Sequence, residues 1–413
     1  MSDAENKRSG PLSGYTVLEM GSTVAGPFCG RLLADFGAEV IKVEPETGDA
    51  VRAMGMRDEE TSLYASSIFR NKKLISVDLR TEEGRAVVRR IATRVDIIVE
   101  NFRPGTLEKW GLGYDDLKEE NPGLVMVRIS GYGQDGPYSD RAGYGIVCES
   151  VSGLRELNGD PDRPPPRIAI SLTDYITGLY AAFGAVMAIN ERNFTKKGQV
   201  VDAALYESAF SFNEPHVPAF SRLGFVATRT GSRLANNTPN NLYCAKDGRY
   251  IHIAAGAQSV FTRLVNIMGQ PELLDDPRFS TALARNENHE AIDEIVGAWT
   301  ATLPLEECEQ LLIDNKVPGA RIYNMRDIFS DPQYIARDML VETDGEDGKP
   351  VTLAGIVPRM SVNPGRIRWG GRKVGADTND VLRDVAGLED SEIEELKGKG
   401  VVYAAMPKDG AAE

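Results

Sequence analysis

Alternation decides what the first half of this chain can fold into. "YTVLEM" (15–20) and "AEVIKVE" (38–44) are short runs rich in β-branched residues. Between them "AGPFCGRLLADFG" carries apolar residues at helical spacing and stops at Gly37. "KLISVDL" (73–79) repeats the strand pattern and leads into "TEEGRAVVRRIATR", where Val87, Val88, Ile91 and Val95 share one helical face. "VDIIVE" (95–100) and "GLVMVRIS" (123–130) follow. Strand, helix, strand at this spacing predicts an α/β fold with a Rossmann-like, doubly wound parallel sheet, whose ligands bind at the C-terminal ends of the strands.

Beyond residue 204 the pattern turns helical. "YIHIAA" (250–255) is a strand, and "SVFTRLVNIMG", "HEAIDEIVGAWTATL" and "LEECEQLLIDN" read as helices. At 413 residues the chain exceeds the size at which one core stops growing, so two domains are expected. The expected division is a large domain over 1–204, a linker and smaller α+β domain over 205–335, and a return segment over 336–413. Gly- and Pro-rich stretches between 340 and 375 read as turns and edge strands, and a last helix pair precedes a tail expected to fray.

Lys plus Arg number 47 against 61 Asp plus Glu, a formal charge of −14. That excludes general binding to nucleic acid or to an anionic membrane, and an anionic ligand then needs a local basic pocket. No apolar stretch reads as long enough to span a bilayer, and the first residues carry no secretory signal, so a cytoplasmic location is expected. Cys29, Cys148, Cys244 and Cys308 form no CxxC pair, which fits reduced thiols. The three histidines are far apart and HExxH is absent, so no metal site is expected.

Five segments could carry chemistry. One, "ISGYGQDGPYSDRAGYG" (129–145), begins at a strand end and is too glycine-rich to serve core packing alone. "MGSTVAGPFCG" after the first strand lacks the GxGxxG spacing, and reads equally as an anion-binding loop or as a tight turn with close helix packing. Arg70, Lys72 and Lys73 cluster in "FRNKKLISVDLR", ordinarily a solvated basic face. Asn101, Phe102 and Arg103 follow a strand, with Pro104 and Gly105 fixing the loop, and suit a flat ring plus phosphate. In "ISLTDYITGLYAAFGAVMAI" (170–189) Asp174 stands ahead of an apolar helical run, as a helix cap or as a reacting carboxylate.

Taken in order, "GYTVLEMGSTVAGPFCGRLLADFGAEVIKVE", "NKKLISVDLR", "VENFRPGTLEKWGLGYDDL", "GYGQDGPYSDRAGY", "SLTDYITGLYAA" and "GQVVDAALYES" resemble the class III CoA-transferases, the family of formyl-CoA transferase and carnitine CoA-transferase. The resemblance runs through the C-terminal "VLRDVAGLEDSEIEELKGKGVV". It implies a Rossmann-like domain built from both chain ends, a small domain, and a homodimer of interlocked chains. It also implies that Asp174 is the nucleophile. Coenzyme A, carried as acyl-CoA substrate, would meet Val24 and Ala25, with Val77, Asp78, Leu79, Arg80, Asn101, Phe102, Arg103 and Lys109 toward its nucleotide and Ala142, Gly143 and Tyr144 toward its pantetheine arm. Val24 replaces the Gln, and Pro45 the Arg, of formyl-CoA transferase, and the Val24 replacement argues against oxalate as acceptor.

The reaction expected from this resemblance passes CoA between acids through an aspartyl anhydride and an aspartyl-CoA thioester. A dicarboxylate such as succinate is the expected acid, held by arginines of "RPPPR" (163–167) or "TRTGSRLANN" (228–237), and "AAGAQS" (254–259) is the expected covering loop. A 2-methylacyl-CoA racemase is the main alternative, although Tyr144 stands where racemases have His. An NAD-dependent oxidoreductase is a weaker one, resting on the alternation alone.

Overall fold

The computed structural model describes residues 10–405. They form two compact units, the first from 10–154, 168–215 and 333–405, the second from 155–167 and 216–332. Three boundaries differ from the expected ones, the return segment beginning at 333 rather than 336. The Pro-rich 155–167 goes with the second unit, and 205–215 stays with the first because Leu205 is buried in its core and the helix beginning there packs on Leu172–Thr195.

Seven strands make the main sheet of the first unit: β1 (Thr16–Glu19), β2 (Glu39–Glu44), β3 (Lys72–Val77), β4 (Ile97–Glu100), β5 (Val125–Ser130), β6 (Gln199–Ala204) and β7 (Val402–Tyr403). Their order is β7-β3-β2-β1-β4-β5-β6, parallel except for β7. The alternation of β1 shows why it is covered on both faces. Leu18 joins Ile41, Ile75, Ile98 and the Val87, Val88 and Ile91 stripe of α2 (Glu82–Ala92) in one core. Val17 joins Val40, Val99 and Val127 in the other, against Cys29 and Leu33 of α1 (Ala25–Asp35) and Ala181 and Ala185 of the long helix Leu172–Thr195. A mixed α/β layer structure with a large, mostly parallel sheet results.

β7 corrects the expectation of a frayed tail up to residue 405. Val402 is buried and pairs antiparallel with Val77, and the Asp78 N–H donates to the Val401 carbonyl at 2.8 Å. The rest of that tail lies outside the described residues.

The long helix Leu172–Thr195 corrects a second expectation: its 24 residues are long and apolar enough to cross a membrane by length and composition. In the fold, its small residues Thr177, Gly178, Ala181, Ala185 and Ala188 are buried, and it packs against α1, β5 and β6. A Cβ on Gly178 would fall 2.8 Å from the Ala25 carbonyl oxygen, so the two helices meet there backbone to backbone.

The second unit is built on an antiparallel sheet ordered Gly319–Arg321, Tyr250–Ala254, Asn240–Cys244, packed on the helices Gln258–Ile267, His289–Thr300 and Leu305–Asp314. Here the expected covering loop 254–259 is not a loose segment. Arg285, fully buried, donates to the Gly256 carbonyl and to Gln258 Oε1, each at 2.8 Å, and the Ala255 N–H donates to the Pro239 carbonyl at 2.7 Å. All four cysteines are free, and no metal-binding cluster of His, Cys, Asp or Glu occurs among the described residues.

Candidate active site

The strand order reverses between β1 and β4, the position at which open α/β sheets bind ligands. A cleft of ≈240 Å³ lies there. Ser22, Thr23 and Ala25 enter it from the β1–α1 junction, Asn101 to Pro104 from the end of β4, and Ser130, Gly131, Ser139 and Arg141 to Tyr144 from the end of β5. Ile129, Asp174 and Leu205 complete the wall. The volume is below the ~300 Å³ at which drug-sized sites begin, so the cleft suits the reacting end of a long ligand rather than all of it.

Asp174 is the third residue of α4 (Leu172–Thr195), the helix that follows α3 (Gly145–Val151) in the chain. Ser171 takes the N-cap position and makes no side-chain cap bond, so Asp174 is not the cap. Burial pushes its carboxyl up to about 6, opposed by a hydrogen bond from its own backbone N–H. Desolvation outweighs that backbone donor. At pH 7 the group is still roughly nine-tenths ionised. Its seat depends on a missing side chain, because a Cβ on Gly145 would overlap Asp174 Oδ2 and come within 2.9 Å of Cγ.

The loop facing Asp174 is held from below. Asn101 Oδ1 accepts from the Ser22 N–H at 2.7 Å and Asn101 Nδ2 donates to the Ser22 carbonyl at 2.8 Å, which commits the amide to the protein backbone. Gly21 and Gly26 let that amide in, since a Cβ on Gly21 would sit 3.2 Å from Asn101 Oδ1 and 3.0 Å from the Gly26 Cα. Of the two readings of this loop, the fold shows close packing. Thr23 has a φ of 70°, a strained value for a β-branched residue, and its N–H donates to Asp49 Oδ1 at 2.9 Å.

Beneath the loop lies a buried ion network. Lys42 Nζ pairs with Asp49 at 2.9 Å and donates to the Gly21 carbonyl. Lys72 Nζ pairs with Glu19 at 2.6 Å and donates to the Pro27 carbonyl at 2.7 Å. Burial pushes the Lys72 ammonium down to about 8 against the pull of Glu19. The solvated reading of the basic cluster fails for Arg70 and Lys72, both fully buried, because two acids wait inside the fold: Asp35 takes Arg70 at 2.6 Å and Glu19 takes Lys72. Only Lys73 keeps a part-exposed pair, with Glu39.

The fold gathers Ala25, Asn101, Phe102, Arg103, Ala142, Gly143 and Tyr144 around Asp174, and leaves other expected residues elsewhere. Val24 is buried behind the loop, and Val77 is buried in the sheet core with Leu79 packed on it. Asp78 and Arg80 pair with each other at 2.8 Å and line a separate cleft of ≈160 Å³ with Pro45, Glu46, Ser76 and Val401 to Tyr403. Lys109 is exposed and lines neither cleft. Arg229 of "TRTGSRLANN" is taken up by Glu156 at 2.7 Å. Sequence reasoning pointed to the loop after the first strand and to the loop 129–145, but did not single out Ser22, Thr23, Ser130, Ser139 and Arg141 within them. Their signal was position: each lies at or after a strand end that was itself legible.

A family model described as CoA-transferase family III matches residues 12–378. The chain belongs to that family. This class III CoA-transferase is 43% identical over 394 residues to the succinyl-CoA–D-citramalate CoA-transferase of Chloroflexus aurantiacus, covering 95% of this chain and 98% of that protein. It is 34% identical over 396 residues to the human succinyl-CoA:glutarate CoA-transferase, covering 95% and 90%. Among solved structures, a CAIB/BAIF family protein from Brucella suis superposes with a TM-score of 0.82 at 33% identity, covering 91% of this transferase and 100% of that chain.

Proposed function

We propose that this transferase moves CoA from succinyl-CoA to a free dicarboxylic acid, with Asp174 as the group that is acylated. The observation that carries the reading is the placing of a mostly ionised, poorly solvated carboxylate in the cleft at the switch point of the sheet. Both curated relatives are named for succinyl-CoA and a second diacid, which supports the substrate class.

An Asp174 carboxylate oxygen attacks the thioester carbonyl, the C–S bond breaks, and CoA leaves as thiolate from a succinyl-aspartyl anhydride. The thiolate attacks the aspartyl carbonyl and expels succinate, giving an aspartyl-CoA thioester. The acceptor carboxylate attacks that thioester, forms its own anhydride and releases the thiolate, which takes the acceptor's acyl group and frees Asp174. No net proton moves, so the site needs no partner base. Backbone N–H groups of the Gly131 and Gly143 loops, at the cleft wall, are the donors for the tetrahedral intermediates. Arg103 receives a CoA phosphate, and the Asp78–Arg80 cleft takes the nucleotide end.

The racemase reading needs a second base, and the residues lining the cleft include no histidine. On its outer side α4 exposes Leu179, Phe183, Val186, Met187 and Phe194, an apolar stripe that supports the homodimer implied by resemblance.

Incubating the protein with succinyl-CoA and labelled citramalate, malate or glutarate tests the activity, and hydroxylamine trapping followed by mass spectrometry tests the covalent step. Label in a new acyl-CoA and a hydroxamate on the Asp174 peptide are expected. Exchange without an adduct at that peptide would overturn the assignment of Asp174.

A further inference from the structure

We infer that Arg141 binds the distal carboxylate of the diacid and so sets the preference for diacids over monoacids. The inference rests on the dicarboxylate reading above and names the residue that enforces it. Arg141 lines the same cleft as Asp174. Gly145, where an added Cβ would overlap the Asp174 carboxyl group, is four positions further along the chain, a stretch that spans at most ~14 Å.

Its guanidinium is preorganised. The Arg141 Cζ lies 3.4 Å from the centre of the Tyr138 ring, and its backbone N–H donates to the Tyr138 carbonyl at 2.9 Å. Tyr138 packs edge-on against Tyr132 at 5.8 Å, and Tyr132 lies 5.8 Å from Tyr206, so the stack is anchored on the ring of a nearly buried tyrosine. Stacking occupies the flat face of a guanidinium and leaves its in-plane N–H groups for a carboxylate.

Those donors are uncommitted. Among the described residues Arg141 has no ion pair and no side-chain hydrogen bond, in a chain carrying an excess of acids that pairs many of its other arginines. In the loops expected to hold the second carboxylate, Arg229 is already paired with Glu156, and none of their arginines lines the Asp174 cleft. Arg103 lines the cleft too, but among the described residues no ring lies beneath it, and it is the residue assigned above to a CoA phosphate.

The test compares radiocarbon-labelled succinate with its equally labelled monoamide, succinamate, as CoA acceptors from unlabelled succinyl-CoA, reading the label that enters the acyl-CoA pool. The donor half-reaction is common to both, so the ratio of kcat/KM values isolates the second carboxylate. The unaltered protein is expected to favour succinate by roughly 100-fold, the range of a hydrogen-bonded charge pair. In Arg141→Gln the ratio falls to within about threefold of one, while Arg141→Lys, a point charge without the fork, retains part of it. A ratio unchanged in Arg141→Gln, or near one in the unaltered protein, overturns the inference while leaving the transferase reading intact. An unaltered protein that passes CoA to neither acid sinks the functional reading first and this one with it. Should Arg141→Gln fail to fold, Arg141→Lys decides: an undiminished ratio with a raised KM for both acids would count against a fork-specific contact.

Discussion

Gly145 and Asp174 share one space: the carboxyl group of Asp174 sits where a β-carbon on Gly145 would have to be. Gly145 has no positive φ, so its backbone tolerates an L side chain and the only conflict is with the carboxylate. Gly145→Ala is expected to fold, to bind CoA, and to lose about 100-fold in kcat, the cost of a reacting group displaced by roughly 1 Å. Steady-state kinetics beside calorimetric CoA titration checks it, and a variant with normal kcat would show that the seat is not required.

Acid should switch the site off. With its carboxyl pushed up to about 6, Asp174 loses its charge as pH falls through that value, so kcat/KM is expected to drop tenfold per pH unit below it. A profile flat down to pH 4.5 would contradict the burial argument.

The same burial has a stability cost with a definite sign. A carboxyl moved from 3.8 to about 6 binds its proton more tightly in the folded state, so the ionised side chain destabilises the fold above about pH 6 and ceases to do so below 3.8. Asp174→Asn is expected to be inactive and more stable than the unaltered protein at pH 7.5, by at most roughly 3 kcal/mol. Denaturant unfolding at pH 7.5 and pH 4 should show that advantage shrinking in acid.

Asn101 acts through the loop. Asn101→Ala removes both bonds to Ser22, and the strained Thr23 then has one fewer restraint, so a 10- to 100-fold loss in kcat/KM is expected with little change in unfolding midpoint. Asn101→Asp, which keeps an acceptor for the Ser22 N–H but no donor, should fall between.

Lys72→Met strands Glu19 in the core with only Lys42, 3.5 Å away. A destabilisation of about 3 to 5 kcal/mol is expected, and Lys72→Met with Glu19→Leu should recover most of it, because removing both charges removes the desolvation cost. Chemical denaturation of the three proteins measures both numbers.

Most of the sheet was legible because its strands are apolar on both faces and end at glycines or acids: β1 to β5 lie within one or two residues of the runs that announce them. Asp174 was legible only through resemblance, since a first-turn acid looks the same whether it caps or reacts. Burial of Arg70 and Lys72 was not legible, because nothing local reveals that Asp35 and Glu19 wait some 35 and 53 residues away. The two bonds of Asn101 to Ser22 cross 79 residues and were hidden for the same reason. β7, two residues long, carries no period to read.

That short strand lies more than 320 positions after the β3 edge it covers. A ribosome must therefore have passed Val402 before Ser76 and Val77 are covered, and Leu74 waits for Asp377; until then this edge offers an open ladder to any neighbouring nascent polypeptide.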